Sequence, residues 1–132
     1  MGRDIMRRED GRIALDLLDD AAFARLPGDG VTLVLRMAGT AGHGRWLDQV
    51  VMPAPSPFAH RAGCACCAPD GAIAAMLADL FRARVTGRRP WFERVMVVVP
   101  PGLLVGTRQA LDANRVVAAR YRPAWRSAGP GH

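Results

Sequence analysis

Glu93-Arg94-Val95-Met96-Val97-Val98-Val99-Pro100-Pro101-Gly102 decides how this chain folds. An apolar run from Val95 to Val99, mostly valine, lies between a charged pair and a Pro-Pro-Gly stop. Such a run, with no polar alternation, marks a strand covered on both faces, as in the middle of a parallel sheet. Helices must then supply the cover, and the neighbouring sequence offers them.

Upstream, Pro69-Asp70-Gly71 opens a helix. Ile73, Met76, Leu77, Leu80 and Phe81 fall at i, i+3, i+4, i+7 and i+8, and Gly87 provides a stop. Further back, Val31-Thr32-Leu33-Val34-Leu35-Arg36-Met37 reads as a buried strand. Strand 31–37, helix 71–86 and strand 95–99 predict two parallel strands joined by a right-handed crossover. Trp46 to Met52 fits a short strand or one helical turn, and Pro53, Pro55 and Pro57 extend the connection that follows. Leu15, Leu18, Ala22 and Leu26 stand near helical spacing, so an amphipathic helix is expected over 13–26, ended by Pro27-Gly28-Asp29-Gly30. A last helix is expected from Thr107 to about Arg120.

The expected fold class is α/β: a small three-layer domain with a short, mostly parallel sheet and flanking helices. Half of the 132 residues are apolar, enough for one core. We expect one domain over residues 1–122 and a frayed C-terminal tail over 123–132.

All 18 basic residues are arginine, against 12 acidic ones, for a formal charge of +6. A basic balance can mark a polyanion partner. Along the chain, however, the arginines stand beside acids or on separate segments, and aromatic platforms are few, so nucleic acid is not the expected partner. The first twenty residues lack an apolar secretory core, Met6 stands where a myristoylation signal wants Ser or Thr, and no apolar run approaches membrane-spanning length. A cytoplasmic location and no membrane partner are expected.

The chemistry concentrates in Gly63-Cys64-Ala65-Cys66-Cys67, which holds all 3 cysteines of the chain. An odd number packed so closely makes a poor disulfide framework and suits metal or thiol chemistry. Three sulfurs on a curled loop can grip one soft or borderline cation such as zinc or Cu(I). The following helix N-terminus and Arg61 both favour thiolate over thiol. The candidate metal ligands are Cys64, Cys66 and Cys67, with His60 the nearest fourth donor and Asp70 and His43 others. His43, in a glycine turn, and terminal His132 read as solvated side chains.

The Gly-Cys-x-Cys-Cys loop, the helix after it, Trp91-Phe92-Glu93-Arg94 and the apolar strand resemble the CobW-type family of GTP-dependent metallochaperones. The segment Val116-Val117-Ala118-Ala119-Arg120-Tyr121-Arg122 extends the similarity, which covers Val31 to Arg122. The resemblance implies a P-loop-NTPase-like but incomplete fold, with zinc or another divalent metal held by Cys64, Cys66 and Cys67. In that family GTP turnover is thought to drive metal transfer.

The nucleotide machinery departs from the pattern. Gly39-Thr40-Ala41-Gly42-His43-Gly44-Arg45-Trp46 has the spacing of a phosphate loop, yet Arg45 and Trp46 stand where lysine and a magnesium-binding hydroxyl are needed. Gly39, Gly44 and Arg45 are therefore not expected to bind nucleotide. In a second register, helix 13–26 would match the helix that follows the phosphate loop, and the loop itself would be missing. Val99-Pro100-Pro101-Gly102 replaces the family's Glu-Thr-Ser/Thr-Gly, and Arg36 to Thr40 replaces its acidic Asn-Glu-Phe-Gly-Glu. The chain also ends before any guanine-specificity motif. These features lead to the expectation of a metal carrier, sensor or accessory without GTPase chemistry and without catalytic residues. Its partners would be the metal ion and a client protein or a complete GTPase. A thiol redox module and a non-catalytic interaction module are the alternatives.

Overall fold

The computed structural model describes residues 12–52 and 69–127. Five parallel strands form one sheet: β1 (Ile13–Asp19), β2 (Leu33–Met37), β3 (Asp48–Met52), β4 (Arg94–Val99) and β5 (Tyr121–Pro123), in the order β3-β2-β4-β1-β5. The helices are α1 (Asp20–Ala24), α2 (Pro69–Val85), α3 (Leu104–Ala113), α4 (Arg115–Arg120) and α5 (Ala124–Ser127). The α/β class and parallel sheet expected from the sequence are those observed.

The valine run is the middle strand, in register with β1 on one side and β2 on the other (Leu15↔Val95, Leu33↔Val95). Its alternation divides the core. Val95, Val97 and Val99 join Leu15, Leu33 and Leu35 beneath Ile73, Leu77 and Leu80 of α2, Leu111 of α3 and Val117 of α4. Met96 and Val98 point the other way, against Phe23 of α1, Val34 and Trp46. Both faces are thus covered, which is why β4 carries no polar alternation. Each fully buried leucine or isoleucine contributes roughly 1.5–3 kcal/mol over its exposed state.

The helix expected over 13–26 is corrected by this architecture: residues 13–19 form β1, and only Asp20–Ala24 is helical. Ile13, Leu15 and Leu17 are buried while Ala14, Asp16 and Leu18 are half-buried, a period of two. Pairing with β4 and β5 satisfies the backbone, and tertiary partners decide against the weaker helical spacing. Asp19 then caps α1, its carboxylate accepting from the Ala22 amide at 2.8 Å.

The single helix expected near 107–120 is two. Asn114 is extended (φ −86°, ψ 115°) and caps α4 through its side chain, which accepts from the Val117 amide at 3.0 Å. The boundary expected at residue 122 falls inside β5, and Trp125 packs against the core with its indole donating to Asp112 at 3.0 Å. The undecided segment 46–52 supplies the edge strand β3, which Arg89 pins by an ion pair to Asp48 at 2.6 Å.

Candidate functional site

Parallel α/β sheets bind ligands outside the carboxyl ends of their strands, where connections leave for opposite faces. Here α1 leaves β1 toward the Phe23 face, while α2 leads from β3 to β4 across the Leu77 face. Cys64, Cys66, Cys67 and His60 lie outside the described residues. In sequence they fall between Met52, the carboxyl end of β3, and Pro69, where α2 begins. Cys67 therefore precedes by two residues a helix of 17 residues. A helix of this length presents free N–H groups and a partial positive charge at its start, and both favour thiolate.

Three thiols and an imidazole are a donor set that fits zinc: soft sulfur and borderline nitrogen in number enough for tetrahedral coordination. Asp70 sits in the first turn of α2. Among the described residues, no three His, Cys, Asp or Glu side chains come together as a metal-ligating group.

His43 is not the solvated side chain that the sequence suggested. It is half-buried, with Nε2 donating to the Phe23 carbonyl at 2.6 Å and its ring 4.5 Å from that of Phe23. Trp46 stacks on Phe23 at 5.6 Å and donates from Nε1 to the His43 carbonyl at 2.8 Å. The ring nitrogen that points inward is thus engaged in holding the connection to α1. His132 lies outside the described residues.

Gly39, Gly44 and Arg45 belong to the connection between β2 and β3, with Gly39 and Gly44 at φ 98° and 75°. A phosphate loop works by ending on a helix whose amides face the anion. Residues 45–47 run instead directly into β3. The connection packs inward: a Cβ on Gly28 would fall 2.1 Å from the Arg45 carbonyl oxygen, and the Gly30 amide donates to that oxygen at 3.1 Å. Arg45 contributes backbone to this contact while its side chain is exposed. The second register fails on the fold itself, because the residues assigned to the helix after the phosphate loop begin as β1.

Two polar groups near the sheet escaped the sequence reading. Asp16 on β1 is half-buried, and loss of solvent raises its carboxyl pKa against the pull of Arg94. Tyr121 opens β5 with its hydroxyl donating to the Leu77 carbonyl at 2.6 Å. Burial pushes that hydroxyl well above the ordinary tyrosine range, with Arg84 and Arg120 pulling the other way. Their signals, an acid at an alternate position of a strand and a lone tyrosine after a helix, become legible only once β1 and β5 are known as strands.

No described helix is long and apolar enough to cross a membrane. In comparisons with known proteins, no family model, no curated protein and no solved structure matches this chain.

Proposed function

We propose that this chain is a CobW-like metal-binding protein: a zinc carrier, sensor or accessory that holds its ion on Cys64, Cys66 and Cys67, with His60 as fourth donor, and performs no GTPase chemistry. The observation that supports it is the insertion point of the thiol cluster. All the sulfur nucleophiles of the chain stand between the carboxyl end of a parallel strand and the start of its longest described helix. That position combines the usual ligand edge of such sheets with a local field that keeps thiols ionised. The β2–β3 connection, which opens no helix, favours the absence of nucleotide chemistry.

Anaerobic titration of the reduced protein with Co(II), a coloured substitute for zinc, tests the reading. One tight equivalent with intense thiolate-to-metal charge-transfer absorption is expected, competed away by zinc and abolished in Cys64→Ser/Cys66→Ser/Cys67→Ser. Less than one equivalent, or undiminished binding by the triple variant, would remove the proposal. Equilibrium dialysis with magnesium and GTP or ATP should show no retained nucleotide; micromolar binding would overturn the second half of it.

A further inference from the structure

Several of the arginines scattered along the sequence converge at the amino-terminal edge of the sheet. Arg120, the last residue of α4, places its guanidinium 4.3 Å from the Phe81 ring centroid. Arg84 lies 5.7 Å from the same ring and 3.7 Å from that of Trp91. Cation, ring, cation and ring thus form a short column, Arg120-Phe81-Arg84-Trp91. Arg84 is locked in it by a hydrogen bond from Nη1 to the Phe92 carbonyl.

Strand register adds to the column. Ile13 pairs with Tyr121 and Ala14 with Arg94, so Arg12, one residue before β1, lies between Phe92 and Arg120. It donates to the Ala118 carbonyl of α4 at 3.4 Å. Arg12, Arg88, Arg94 and Arg120 are exposed. Among the described residues, the acids at or near this edge are Glu93, which acts on Arg84, Asp79, 3.8 Å from Arg82, Asp48, paired with Arg89, and Asp16 and Asp29, both within reach of Arg94. Arg12, Arg82, Arg84, Arg88, Arg89, Arg94 and Arg120 outnumber these described acids.

Trp91 determines what such a surface fits. It remains 60% exposed although Arg84 covers one face of its ring, so the other face is open. A guanidinium stacked behind an indole fixes the ring as a flat platform at little further entropic cost. A platform flanked by planar guanidinium forks matches an unpaired base whose neighbouring phosphates are contacted by arginine.

We infer that the surface formed by Arg84, Arg88, Trp91 and Arg120 binds single-stranded nucleic acid, one base stacking on Trp91 and the arginines contacting the backbone. The surface reads no sequence, because stacking and phosphate contacts are indifferent to base identity. It does not rest on the metal proposal: none of its residues is among the proposed metal ligands, and α2, whose start the cysteines precede in sequence, is itself roughly 25 Å long.

The test is fluorescence anisotropy of the purified full chain with labelled single-stranded dT20 over a range of salt. Binding that weakens steeply as salt rises is expected. Trp91→Ala should weaken it about ten-fold while Trp91→Phe retains most of it. Arg88→Gln should lower affinity and reduce the salt slope by about one. Thermal unfolding of each variant monitors the fold; exposed Trp91 and Arg88 can be replaced without opening the core. No binding at low salt would overturn the inference. So would binding indifferent to Trp91→Ala, or capture of heparin or an acidic peptide with the same Trp91 dependence but not of dT20.

Discussion

Tyr121 shows how one side chain can carry both packing and pH dependence. It is 1% exposed, the sole tyrosine of the chain, and ties β5 to α2 through its bond to Leu77. Because burial raises its pKa, the folded state holds the phenolic proton at a pH where the unfolded chain releases it. Above about pH 10, the ordinary tyrosine value, the unfolded state binds fewer protons, so stability falls as pH rises. Urea unfolding at pH 9 and pH 11 should show a loss that Tyr121→Phe reduces, and phenolate absorbance should appear only with unfolding. At pH 7 the same variant should cost about 1 kcal/mol, the net value of one neutral hydrogen bond. A folded protein whose tyrosine titrates normally near pH 10 would contradict the buried placement.

Among the elements, legibility follows the amount of apolar surface each commits. The run Val95–Val99 and the helix carrying Ile73, Leu77 and Leu80 are readable because both put unambiguous patterns into the core. Residues 13–26 were not, because Leu15, Leu18 and Ala22 satisfy a helical count while Ile13, Leu15 and Leu17 satisfy a strand count. The choice falls to pairing with residues 94–99 and 121–123, which lie far along the chain. The break at Asn114 was missed for a related reason: Leu111 and Val117 both reach the core, and one continuous helix would not turn the chain into β5. Asn114 makes that turn by capping α4. Asn114→Ala should therefore destabilise the protein by about 1 kcal/mol, with Asn114→Asp or Asn114→Ser keeping most of the loss away. Equal unfolding midpoints for the alanine and serine variants would show that the cap contributes nothing.

Across the whole molecule, the two proposed sites differ in legibility. Cys64, Cys66 and Cys67 are adjacent in sequence, so their chemistry is evident without a fold. Arg12, Arg84 and Arg120 become neighbours only when β1 pairs with β5 and α4 packs on α2, relations no spacing encodes. The two residue sets do not overlap, and that makes a prediction, since sites with no shared partners perturb stability independently. Zinc at a hundred-fold excess over its dissociation constant should stabilise the folded chain by about 2.7 kcal/mol. For a domain of this size that raises the melting midpoint on the order of 5–10 °C. The rise should vanish in the triple-serine variant and persist unchanged in Trp91→Ala. If Trp91→Ala abolished it, the metal and arginine sites would be one coupled site, and their independence would be wrong.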